Sequence, residues 1–174
     1  MKIYKNLLKV LSSVALAMAF SSCGLTPQQP VSTAPATLEG SWQLVKEEVR
    51  INGNSIPTFD PKTHKMTKIF NKTHFAFTSI GPNRPRFSSY SLTDAEKVVA
   101  FENFGGGAGR YSYENGYLTE HIEHMNYPNY EGVSITFKIT LEGDTLIQEG
   151  DYPIRELGLG ESNGYLYSVF KRIE

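Results

Sequence analysis

The sequence predicts an all-β protein built of short strands joined by tight turns. Three observations predict it. Aromatic and β-branched residues are dense, with Phe, Trp and Tyr making up 12% of the chain. Asn-Gly and Gly-Asp pairs recur between short apolar runs. No long apolar stripe of helical period runs through residues 38–174. Closing a sheet of such strands removes its exposed edges, and eight strands leave room for packed side chains or for one small ligand.

The elements follow in order. Ser41 to Val49 alternates as a strand, and Asn52-Gly53 marks a turn. Lys65 to Phe70 is a short strand, followed by a turn at Asn71-Lys72-Thr73 and a strand from His74 to Ile80 that puts Phe75 and Phe77 on one face. Thr93-Asp94-Ala95-Glu96 fits a capping box ahead of Val98, Val99 and Phe101. It predicts one short helix, although residues 97–101 also read as a strand. Gly105 to Gly109 reads as a flexible or bulged approach to a hairpin. Gly132 to Leu141 is the clearest strand, with Val133, Ile135, Phe137 and Ile139 on one face. Glu142-Gly143-Asp144 turns it into Thr145 to Gln148, and Tyr165 to Ile173 closes the chain.

One hairpin is predicted in detail. Asn115-Gly116 between β-forming runs signals a two-residue type I′ turn. That register pairs Tyr113 with Leu118, Ser112 with Thr119, Tyr111 with Glu120 and Arg110 with His121. Alternation then puts Tyr111, Tyr113, Leu118, Glu120, Ile122 and His124 on one face, the more apolar and hence the inward one. A buried Glu120 needs partners, so this interior holds a polar network or a wet cavity. The Tyr111 hydroxyl, directly across the ladder, is the expected donor to it.

The N-terminus carries an address. Lys2, Lys5 and Lys9 precede an apolar run from Val10 to Phe20, too short to span a bilayer. Ser21, Ser22 and Cys23 follow, and resemble the lipobox of bacterial lipoproteins, with Phe20 in place of the usual aliphatic residue. The resemblance implies cleavage before Cys23 and lipidation of its sulfur. The alternative is a plain secretory signal with an incidental cysteine. Residues 23–37 hold three prolines and no charge, and read as the lipidated cysteine and a flexible tether to a domain over residues 38–174. No aspartate follows Cys23, which by resemblance to lipoprotein sorting favours the outer membrane.

Composition excludes several classes. Without residues 1–22 the chain has 14 basic against 18 acidic residues, a net charge of −4. That is a poor balance for nucleic-acid binding, which rests on neutralising phosphates. The single cysteine excludes an internal disulfide and a cysteine-built zinc site. His121-Ile122-Glu123-His124 lacks zinc-protease spacing. On a strand its two histidines point to opposite faces, and Glu120 lies ~13 Å from His124 along their shared face. The glycine run lacks the Gly-Lys-Ser/Thr of a phosphate loop, and no Gly-x-Ser-x-Gly elbow occurs. No metal, cofactor or catalytic motif is read.

Leu38-Glu39-Gly40-Ser41-Trp42 resembles the start of a lipocalin-like (calycin-type) barrel, and Lys171-Arg172 resembles the basic residue that covers that tryptophan at the closed end. Thr73-His74-Phe75, Gly106-Gly107 before Tyr111, Thr119-Glu120-x-Ile122 and Phe170-Lys171-Arg172 together resemble a bacterial lipocalin-like domain of secreted and lipid-anchored proteins. Phe170 stands where a tryptophan is expected. The resemblance implies an antiparallel up-and-down β-barrel of about eight to ten strands with a pocket, and Gly40, Trp42 and Arg172 as its signature. The expected ligand site is Phe75, Phe77, Tyr111, Tyr113, Glu120, Ile122 and His124. The carboxylate makes its ligand a neutral or cationic amphiphile, since a fatty acid would need a basic partner. The leading expectation is therefore an envelope lipoprotein binding a small, mostly apolar ligand. A filled barrel serving protein interaction comes second, and an enzyme using Glu120 third.

Overall fold

The computed structural model describes residues 37–82 and 84–174. The expected signal segment, Cys23 and most of the expected tether lie outside the described residues. The described chain forms β1 (Gly40–Ile51), β2 (Asn54–Pro57), β3 (Lys65–Phe70), β4 (His74–Ile80), α1 (Asp94–Glu102), β5 (Phe104–Glu114), β6 (Tyr117–Met125), β7 (Ser134–Glu142), β8 (Thr145–Tyr152) and β9 (Gly164–Arg172), with a 3₁₀ turn at Pro128–Tyr130. Every pairing is antiparallel, the order runs β2-β1-β3-β4-β5-β6-β7-β8-β9, and β1 also pairs with β9. The result is a closed eight-stranded meander with β2 appended beside the far half of β1.

The turns carry the chemistry that their residues specify. Asn115 and Gly116 both have positive φ (53° and 81°), as a type I′ turn requires, and so do Asn52 and Gly53 (50° and 80°). The Asn71 side chain accepts from the backbone N–H of Thr73 and His74, closing the β3–β4 turn. Residues 94–102 are helix rather than strand. The Thr93 hydroxyl accepts from the Glu96 N–H while the Glu96 carboxylate accepts from the Thr93 N–H, so two otherwise unpaired donors at the helix start are satisfied. None of the residues of α1 is buried, and Val98 and Phe101 are exposed.

Alternation fills the interior. Trp42, Leu44, Phe70, Phe75, Leu118, Phe137, Leu146 and Phe170 are among the residues of one buried cluster. β1 pairs with β3 only from Gly40 to Gln43; beyond a bulge between Leu44 and Lys46, its second half pairs with β2 instead. The barrel therefore parts between β1 and β3 at one end, and this is its mouth. The other end, where β1 begins and β9 finishes, is closed.

Candidate functional site

The closed end is built on Trp42, which is fully buried. Its indole Nε1 donates to the Leu38 carbonyl at 2.8 Å. The Arg172 guanidinium lies over the ring, 4.1 Å from its centroid, a cation–π arrangement. The same guanidinium donates to the carbonyls of Glu39 and Thr37 at 2.7 and 2.5 Å. Gly40 has φ +127°, and a Cβ there would stand 2.5 Å from Arg172 Nη1, so the glycine makes room for the cap.

Above this base, the buried polar residues meet. Lys68, at 3% exposure, forms an ion pair with Glu120 and donates to Gln148 Oε1 at 3.2 Å. Its ammonium lies 5.4–5.9 Å from the ring centroids of Phe70, Phe75 and Phe170. Glu120 is thus interior, as the hairpin register requires, but its partner is Lys68 rather than Tyr111. The Tyr111 hydroxyl instead donates to the Asn71 carbonyl at 2.6 Å. This pairing removes the argument that Glu120 leaves the lining negatively charged.

A second carboxylate sits nearer the mouth. Past the β1 bulge, Glu47 stands opposite Ser168 and accepts from its hydroxyl at 3.0 Å and from the Thr58 hydroxyl at 3.0 Å. Close by, the hydroxyls of Tyr130 and Tyr152 share a hydrogen bond of 2.6 Å. Burial first, then the neighbouring Tyr130, pushes the Tyr152 phenol well above its ordinary range; burial also raises Tyr130. Where β1 leaves β3, a cavity of about 330 Å³ opens, lined by Leu44, Glu47, Phe59, Met66, Ser79 and Phe104 among others. Every buried side-chain nitrogen and oxygen among the described residues has a hydrogen-bond partner.

One family model, that of the lipocalin-like domain, matches the sequence over residues 39–173. The chain belongs to this family. The lipocalin-like domain is similar to a solved lipocalin-like protein from Bacteroides uniformis, with 20% identity over 78% of this chain and 98% of that one and a TM-score of 0.42. It is also similar to an uncharacterised protein from Bacteroides eggerthii, with 14% identity over 76% of this chain and 98% of the other, at the same TM-score of 0.42. No curated protein matches the sequence.

In this lipocalin-like domain the expected ligand residues part company. Phe75, Glu120 and Ile122 are buried, and Phe77 and Tyr111 are half-buried against the same core. Two expectations are corrected. Tyr113 is exposed at 40%, because β5 runs on past Arg110, the last residue that β4 pairs, leaving Tyr113 without a neighbour on that side. His124 is exposed too. A bulge pairs Gly109 with Ile122 but Ala108 with His124, so Glu123 is the extra residue and alternation restarts one place late. Met125 packs against the core where His124 was expected. His121 and His124 consequently both face outward, not to opposite faces, with His121 Nδ1 2.8 Å from Ser134 Oγ. Among the described residues no group of three or more His, Cys, Asp and Glu side chains could hold a metal ion.

The glycine run is strand, with the expected bulge falling between Ala108 and Gly109. A Cβ at Gly109 would collide with the His121 carbonyl across the bulge, and one at Gly107 with Met125 Sδ and, at 2.9 Å, with Phe77. The residues that sequence reasoning missed are Lys68, Gln148, Glu47, Ser168, Tyr130 and Tyr152. For Lys68 a signal existed: in Lys65 to Phe70, Met66, Lys68 and Phe70 share a face, so a lysine sits in an apolar stripe.

Proposed function

We propose that the lipocalin-like domain binds one small, partly apolar ligand at its mouth and works as an exported protein lipidated on Cys23 and held to the bacterial outer membrane. The reading is of a binder, not a catalyst. The observation that carries it is the cavity of about 330 Å³ between β1 and β3, which has both apolar walls and hydrogen-bonding groups. Its size is at the small end of ligand pockets, and its lining mixes Leu44, Phe59 and Met66 with Glu47, Thr58, His64 and Ser79, which can orient a ligand. The lower half of the barrel is filled by Lys68, Glu120 and Gln148, so a ligand enters only part-way.

Titration with the dye N-phenyl-1-naphthylamine tests the mouth. Saturable binding is expected, weakened at least ten-fold in Met66→Trp, whose larger ring fills the cavity while the circular dichroism stays native. Non-saturable binding, or a Met66→Trp variant that binds as well as wild type, overturns the reading. For the anchor, Cys23→Ala expressed in a bacterium is expected to leave the membrane fraction and to take up no labelled acyl chain. A variant that stays with membranes, alongside a wild type that takes up no label, overturns lipidation.

A second reading, an interaction module of the envelope, draws on an exposed apolar groove of about 550 Å³ lined by Val49, Ile51, Ile56, Ile154 and Leu159. Ile56→Glu would then abolish crosslinking to an envelope protein and leave dye binding intact.

A further inference from the structure

Glu47 is a half-buried carboxylate at the mouth that pairs with no cation among the described residues. Both its oxygens accept hydrogen bonds only from neutral hydroxyls, those of Ser168 and Thr58, and no basic side chain pairs with it among the described residues. The contrast with Glu120 is direct, since that carboxylate is neutralised by Lys68. Two hydroxyl donors occupy about half of the acceptor sites of a carboxylate. The remainder belong to a group that lines the mouth cavity beside Leu44, Phe59, Met66 and Phe104. Lys65 and Glu102, on the same rim, are both exposed, so their opposite charges are solvated; His64, half-buried in the same lining, is engaged by the Thr63 hydroxyl and the Phe59 ring rather than by Glu47.

We propose that the mouth selects a ligand with a protonated primary amine on a short apolar body, with Glu47 as the counter-ion. The inference rests on the mouth being the ligand site and names the ligand's chemical class. An ammonium supplies up to three donors and a full charge to an anion already held in place by two hydroxyls. Its hydrocarbon replaces water against Leu44, Phe59 and Met66, while the Phe104 ring already carries the Arg84 guanidinium, 4.8 Å from its centroid. A carboxylate ligand is disfavoured, since its anion would meet Glu47 at the inner end of the site, while the cation on the rim, Lys65, is exposed and solvated.

Hexylamine, hexanol and hexanoate at pH 7 have one apolar body and three head groups, and isothermal titration of the wild-type protein with each separates them. Hexylamine is expected to bind at least ten-fold more tightly than hexanol, with hexanoate undetectable. In Glu47→Gln the amine preference is expected to fall to within two-fold; the amide keeps the side chain's shape, and the Ser168 and Thr58 hydroxyls can reverse donor roles. Equal binding of amine and alcohol to wild type, or tightest binding of hexanoate, overturns the amine assignment. Met66→Trp separates the two failures. If amine and alcohol bind alike and Met66→Trp blocks both, the mouth remains the site and only the ligand class is wrong. If none of the three binds, or Met66→Trp blocks none, the mouth reading fails as well. Should Glu47→Gln not fold, the wild-type series decides alone.

Discussion

The Arg172 guanidinium lies over the Trp42 indole, 4.1 Å from the ring centroid, and ties the last strand to the first at the closed end of the barrel. One side chain at the end of β9 thereby covers the largest core residue and bonds the two carbonyls, Thr37 and Glu39, that lead into β1. Trp42→Ala is expected to cost about 3–5 kcal/mol by leaving a cavity that the closed end cannot collapse into. Arg172→Lys is expected to lower stability as well, because an ammonium cannot lie flat on the indole while reaching both carbonyls. Urea unfolding followed by tryptophan fluorescence for the arginine variant, and by circular dichroism for the tryptophan one, checks both. A Trp42→Ala loss below about 1 kcal/mol would remove the closed end as the fold's anchor.

Legibility followed the reach of each signal. The Asn115-Gly116 turn specified the pairs Tyr113–Leu118 through Arg110–His121, because a two-residue loop leaves no freedom of register. Counting alternation onward from that turn worked up to Ile122 and broke at Glu123, where the bulge inserts a residue. The cause sits on the partner strand, where Gly109 lets the backbone of β6 approach more closely than a Cβ would allow. Glu120 was readable as interior, but its partner was not. Lys68 lies 52 residues earlier and meets it only across the barrel. Glu47 was hidden by a second bulge, between Leu44 and Lys46, which turns inward a residue in a charged run. The base, the strands and the helix cap were local or carried by resemblance. The interior ion pair and the mouth depend on closure, and closure is not written in any one segment.

The tyrosine pair gives an expected alkaline limit. The Tyr152 and Tyr130 phenols are raised, chiefly by burial, above the ordinary value of about 10 that they take in the unfolded chain. Their neutral forms therefore favour the folded state fully below about pH 10, and that contribution is lost as pH rises toward the folded values, because the unfolded chain releases protons that the barrel holds. Stability measured by urea at pH 8 and at pH 11 is expected to fall in the wild type. It should fall less in the double variant Tyr130→Phe/Tyr152→Phe, which removes both hydroxyls of the shared bond and strands neither. The chain has ten tyrosines, so a bulk phenolate titration averages over all of them and the variant comparison is the decisive one. Parallel pH profiles would show that the pair does not govern the alkaline limit.

The buried pair of Lys68 and Glu120 is expected to behave as a unit. Each is at most 6% exposed, and Gln148 and three aromatic rings complete the surroundings of the ammonium. Lys68→Met leaves an uncompensated carboxylate inside the barrel, and Glu120→Gln leaves an uncompensated ammonium; each is expected to cost about 3–5 kcal/mol. The double variant has no buried charge, and methionine occupies much of the volume of the lysine stem. It is expected to regain most of that loss, because removing both partners of a buried pair forfeits their attraction but also removes both desolvation costs. A double-mutant cycle by urea denaturation reads the difference as a coupling energy, expected to exceed about 2 kcal/mol. Additive losses would mean that water reaches this part of the interior and screens each charge. The filled lower half would then be wet, and a ligand could pass the mouth and reach Lys68.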